Sequence, residues 1–138
     1  MELFSRDISM KEIFPCEKNP KRAASLREHA DQKQKELNKV QNLVSTETIT
    51  EFYFDIMKEL ILARMYELGF HTLSHKLLIE FLQENSKQFS PFELQLIDEL
   101  RTKRNDVYYY GKKIHPHFIL QHKNEFESII EKLKRECI

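Results

Sequence analysis

The densest chemistry in this sequence lies between Arg101 and Lys113, where five basic residues (Arg101, Lys103, Arg104, Lys112 and Lys113) stand against a single acid, Asp106. Guanidinium and ammonium groups bind phosphate, so a polyanionic partner would meet this stretch first. A solvated helix face carries the same charge signature. Three consecutive tyrosines, Tyr108 to Tyr110, close the stretch. Read from the residues alone, they are core or interface aromatics, or base-stacking or phosphate-binding groups beside Arg104.

The remaining reactive side chains are mostly histidines. His71 and His75 are spaced i, i+4, which chelates metal from one helix face. No Asp or Glu completes a motif, and Gly69 makes His71 a helix-start residue, so capping or packing is expected and no metal is. His115 and His117 flank Pro116; they belong to a solvated turn or swing towards Arg104. His122 falls on an apolar helical stripe as a satisfied core histidine. The absence of any Glu-x-x-His pair argues against a ferritin-like di-iron bundle. A helix-turn-helix over Leu60 to Leu82 offers only Lys76 as a basic group on its second helix, followed by Glu80 and Glu84, so DNA is not an expected partner.

The elements that must position these groups are helical. Apolar residues recur at helical spacing in five segments, punctuated by Pro, Gly, Asn and Ser. After apolar pairs at Leu3/Phe4 and Ile13/Phe14, Asn19 and Pro20 predict the start of a helix over Lys21 to Val44, with Leu26, Ala30, Leu37, Val40 and Val44 on one stripe. The second runs from about Glu47 to Leu68, with Thr46 as N-cap and Gly69 as C-cap. Its apolar residues spread round much of the circumference, so it is central in a bundle or covered by another subunit. A third helix is expected over Thr72 to Asn85. Ser90 and Pro91 open a fourth that runs towards Gly111, and Pro116 to Arg135 forms the fifth. Short connections favour antiparallel neighbours, so the fold class is an all-α, antiparallel up-and-down bundle of four to five helices. Residues 1–18 read as an N-terminal segment and 19–138 as the bundle domain.

Composition agrees and narrows the chemistry. The 138 residues include 41% hydrophobic and 32% charged side chains, the balance of one globular domain. Two glycines, Gly69 and Gly111, cannot build a glycine-rich phosphate loop or a dinucleotide fingerprint. No cofactor is expected. The zero net charge divides into nine basic and seven acidic residues over 1–46 (+2), four and ten over 47–99 (−6), and nine and five over 100–138 (+4). Cys16 and Cys137 lie near opposite ends without metal-binding spacing, so both are expected as free thiols. The longest uninterrupted apolar run, Leu60 to Ala63, is far short of the ~18 residues of a membrane span, and no signal-peptide run is visible. The expected location is cytoplasmic, away from membranes.

One residue breaks the pattern of the fourth helix. With Leu100 at zero on a wheel of about 100° per residue, Leu96 falls near −40°, Val107 near −20° and Ile97 near 60°; Arg104 falls near 40°, inside the apolar stripe. A guanidinium there needs a partner such as Asp98 or Glu99, or a polar cleft, because it does not escape by losing its proton. Tyr108 lies about 40° from Arg104 and Tyr109 about 140°, so Tyr108 is the expected neighbour.

The run LRTKRNDVYYYG, Leu100 to Gly111, resembles the signature of the HEPN family, in which an Arg, usually followed by a polar residue, is separated from a His by four to six intervening residues. Arg104 and Asn105 match the first two. Four to six intervening residues lead from Arg104 to Tyr109, Tyr110 and Gly111, so tyrosine stands where the family has histidine. The likeness extends to KRAASLREHA at Lys21 to Ala30, to LGFHTLSHKLLIEFL at Leu68 to Leu82, and to the general helical order over residues 19–135. It implies a HEPN bundle of the nucleotidyltransferase substrate-binding-subunit type. It further implies a homodimer whose two motifs line one cleft, an RNA or nucleotide ligand, and metal-independent endoribonuclease chemistry. In family toxins the antitoxin partner is a nucleotidyltransferase. On that basis Arg104, Tyr108 and Tyr109 are the candidate catalytic group, with Arg104 stabilising charge on phosphate. Arg101, Arg104, Asn105, Asp106, Tyr110 and Lys112 are the candidate RNA- or nucleotide-binding set. Tyr110 matches loosely the tyrosine that the partner modifies with AMP. A catalytically inactive interaction module that binds a protein is the alternative function.

Overall fold

The computed structural model describes residues 12–136. Leu3, Phe4 and Cys137 lie outside them. The described residues form β1 (Ile13–Pro15), α1 (Pro20–Val40), α2 (Thr46–Leu68), β2 (Phe70–Thr72), α3 (His75–Asn85), α4 (Pro91–Tyr110) and α5 (Pro116–Arg135). This is a mostly helical bundle with one two-stranded sheet.

Side chains at the helix ends explain most boundaries. Asn19, Ser45, Ser74 and Ser90 each accept a hydrogen bond from a backbone N–H of the first turn they precede. At Ser90 the bond is reciprocated, because the Glu93 carboxylate accepts from the Ser90 N–H. Gly69 and Gly111 end α2 and α4 with φ of 90° and 62°, the left-handed conformation that frees the terminal carbonyls to be capped.

Three expectations are corrected. α1 stops at Val40 rather than Val44, because Gln41 to Val44 turn the chain back into α2, with the Leu43 N–H bonded to the Val40 carbonyl at 2.7 Å. Ser45, not Thr46, caps α2. Residues 70–72 are a strand, so α3 begins at His75 instead of Thr72. β1 pairs antiparallel with β2 in the register Ile13↔Thr72, Phe14↔His71, Pro15↔Phe70. Three residues are too few to show strand alternation. His71 consequently packs between the rings of Phe14 and Tyr66 and shares no helix face with His75.

Ion pairs and ring contacts fix the directions of the long helices. Arg27 and Lys33 of α1 meet Glu67 and Asp55 of α2 respectively, so these helices run antiparallel. Asp31 and Gln34 of α1 meet Lys134 and Glu127 of α5, and Glu93 and Lys103 of α4 meet Lys132 and Phe118 of α5, which makes α5 antiparallel to both. Among the long helices, α2 and α5 therefore run one way and α1 and α4 the other, with α3 linking α2 to α4. The core is built on α2, whose Tyr53, Phe54, Ile56, Met57, Leu60, Ile61, Ala63 and Met65 are buried against Leu78, Leu82, Ile97, Leu100, Phe126, Ile129 and Ile130. The apolar circumference of α2 is thus covered largely by the chain's own helices.

The two capping glycines differ in surroundings, which predicts unequal effects of alanine. Either substitution forces a side chain into the left-handed region at about 1–2 kcal/mol. At Gly69 the added Cβ would also lie 3.0 Å from the Cys16 carbonyl oxygen, whereas at Gly111 it meets nothing within 4 Å. Urea unfolding should show Gly69→Ala losing about 1–2 kcal/mol more than Gly111→Ala; equal losses would contradict the close approach of β1 to the end of α2.

Candidate functional site

α4 is helical without interruption to Tyr110, so the wheel geometry holds through the motif. The Arg104 guanidinium lies 5.0 Å from the ring centre of Tyr108 on its own helix and 5.9 Å from that of Phe54 on α2. Both contacts are in cation–π range. Its Nε is buried and has no hydrogen-bond partner. Neither carboxylate expected to neutralise it does so: Asp98 accepts from the Nε of Arg101 at 2.9 Å, and Glu99 lines the groove on the α5 side of the helix. No ion pair to Arg104 forms among the described residues. The guanidinium is thus held against two aromatic rings without a compensating carboxylate among the described residues.

The same Phe54 ring connects α4 to α3. His75, the first residue of α3, packs on it with ring centres 5.3 Å apart. Burial first, then the positive charges of Lys58, Arg104 and more weakly Arg101, hold the His75 imidazole below its usual 6.5, while Asp55 opposes them. Lys58 is tied to Asp55 at 3.6 Å, and Asp55 is shared with Lys33 of α1 at the same distance. The site therefore gathers three cations, a half-buried neutral imidazole and two aromatic rings from α2, α3 and α4. Its two carboxylates, Asp55 and Asp98, are already paired.

His75, Lys58 and Phe54 were not assigned to this site from the sequence. Their spacing along the chain carries no signal of it, because Phe54 and His75 reach Arg104 only through the packing of α2 and α3 on α4. The other motif residues divide. Arg101 and Tyr108 share the Arg104 face. Tyr109 stands edge-on to Tyr108 at 5.0 Å instead of touching Arg104, and Tyr110 lies near Lys112, whose ammonium is 5.9 Å from its ring centre. Tyr108, Tyr109 and Tyr110 are 65%, 67% and 74% exposed, so the core-aromatic reading does not apply to them. Asn105 and Asp106 are half-buried, and the Asp106 carbonyl accepts from the Lys112 N–H in the helix cap.

His115 and His117 do not swing to Arg104. They line a separate open groove of about 420 Å³ with Glu99, Lys103, Phe118, Gln121 and His122, between α4 and α5. His115 is committed as the α5 cap, accepting from the His117 N–H, and Lys103 lies over the Phe118 ring. His122 packs on Phe118 and Phe126 with its Nδ1 buried and without a hydrogen bond; Glu125 is 3.5 Å away. It is a packed histidine but not a satisfied one.

No protein-family model, no curated protein and no solved structure matches the chain. The functional reading therefore rests on this geometry and on the motif itself.

The His75 environment fixes the sign of a pH effect. An imidazole whose folded value is lowered takes its proton more readily in the unfolded chain. As pH falls below 6.5, stability is lost progressively until the lowered folded value is passed. Thermal unfolding between pH 8 and 5 should show His75→Gln losing less stability on acidification than the parent. Parallel pH profiles for the two proteins would refute the buried neutral imidazole.

Proposed function

We propose that this protein binds single-stranded RNA through the Arg104 face of α4, as a HEPN-like bundle. The observation that carries the reading is the Arg104 guanidinium, desolvated at Nε, unpaired, and held by Phe54 and Tyr108 beside Arg101 and Lys58. Arg104 contacts a phosphate, Arg101 adds a second charge, and Tyr108 to Tyr110 offer exposed rings to successive bases. Asn105, Asp106 and Lys112 flank the path of the strand. The reading extends to the setting implied by the LRTKRNDVYYYG signature: a homodimer that brings two such faces together, with a nucleotidyltransferase as antitoxin partner and the exposed Tyr110 as the acceptor of AMP. The ribonuclease step of that setting rests on Arg104 stabilising charge at phosphorus. Tyr108 is the motif tyrosine nearest to it.

Binding of a labelled single-stranded RNA should be detectable by fluorescence anisotropy at about 50 mM salt and should weaken steeply as salt rises. Arg104→Ala is expected to weaken it by about tenfold and to reduce the salt slope by about one. Tyr108→Ala is expected to weaken it by at least about fivefold through lost stacking. If the parent does not bind RNA, or if folded Arg104→Ala binds as the parent does, the reading falls and the inactive protein-binding module takes its place.

A further inference from the structure

Burial disfavours a charged His75 first, and the cations that add to this effect are also the groups that would draw a phosphate to it. Lys58 and Asp55 face the imidazole from α2, and Arg101 and Arg104 face it from α4. The buried Phe54 ring is their common neighbour, with the His75 ring centre 5.3 Å and the Arg104 guanidinium 5.9 Å from its own centre. His75 also stands at the first position of an eleven-residue helix, where backbone N–H groups point out of the helix end. Empty, this is an environment in which a further positive charge is repelled. A phosphodiester beside Arg104 supplies the missing negative charge, and the imidazolium then gains a charge-assisted hydrogen bond to a phosphate oxygen. Neither the histidine spacing nor the α4 motif assigns His75 such a part.

We propose that His75 is the second phosphate-binding side chain of the Arg104 site, binding RNA phosphate as the imidazolium with one proton taken from solvent. The inference rests on the RNA reading of that site. It identifies the ligand group as a phosphate monoanion bridging α3 and α4, and it makes affinity rise on mild acidification. Linkage sets the scale: if the bound phosphate raises the His75 midpoint by one pH unit, affinity below both midpoints is tenfold higher than above them.

The test follows the imidazole proton of His75 by NMR in the full chain, with and without a short oligouridine whose bases and phosphodiesters do not titrate between pH 5 and 8. His75→Gln assigns the resonance, and His29, His71, His115, His117 and His122 serve as internal references. The expected result is a midpoint below 6.5 in the free protein and about one unit higher with RNA. Calorimetry near pH 6.5 in two buffers of different ionisation enthalpy should show net proton uptake on binding. His75→Gln should abolish most of that uptake and weaken binding about tenfold at pH 5.5, with a smaller effect at pH 8. The titration of the unmutated protein decides the matter even if His75→Gln folds poorly. RNA binding that depends on Arg104 while the His75 midpoint stays fixed would overturn this inference and leave the RNA reading standing. Absence of RNA binding would remove both.

Discussion

The burial of α2 is the constraint on which the rest of the molecule depends. Its apolar residues point in nearly every direction, and each fully buried Leu, Ile, Met or Phe contributes roughly 1.5–3 kcal/mol when withdrawn from water. No single neighbour can cover such a helix. α1, α4 and α5 lie along it, α3 closes on its flank, and the β1–β2 pair is fastened at its end, where the Cys16 N–H donates to the Gly69 carbonyl and the Asn19 N–H to the Tyr66 carbonyl. Several of the polar groups that α2 still carries find partners on the elements that cover them, although one oxygen each of Asp55 and Glu59 and one nitrogen of Arg64 are buried without a hydrogen bond. Arg27 takes Glu67 with two hydrogen bonds, while His29 and Lys33 take Glu59. Tyr53 donates to Glu127 of α5, and burial followed by that bond pushes its phenol well above the ordinary tyrosine range.

That arrangement shows what periodicity could and could not say. α4 and α5 were legible to the residue, because Ser90-Pro91 and Pro116 mark their starts and Gly111 the end of α4. The pairing of Arg104 with Tyr108 followed from their 40° offset on an unbroken helix. The β1–β2 pair was not legible: its strands are three residues long and its partners stand almost sixty positions apart. The same limit hid the site. Arg104 announced itself as a charge in an apolar stripe, but nothing local says that Asp98 goes to Arg101 or that the buried Phe54 ring lies against both α3 and α4. His75 looked like half of an i, i+4 pair until β2 removed His71 from the helix.

The charges around Phe54 are best understood from the one that cannot change. A guanidinium remains ionised in any environment that a protein can offer, so desolvating Arg104 moves the electrostatic cost to its neighbours. They absorb it in different ways. Arg101 takes Asp98, Lys58 takes Asp55, and His75, the one group among them with an ordinary value near neutrality, yields its proton more readily because it is itself buried and because Lys58 and Arg104 lie close. Each response lowers the positive potential around Arg104 without giving Arg104 a partner of its own. The result is a cation whose Nε is out of water and unbonded, flanked by one ring fixed in the core and another exposed at the surface. A chain with two glycines cannot wrap a phosphate in backbone N–H groups. The proposed alternative is a phosphate held by side chains, and the packing of α3 and α4 around Phe54 supplies its starting point by burying the Nε of Arg104 without a partner.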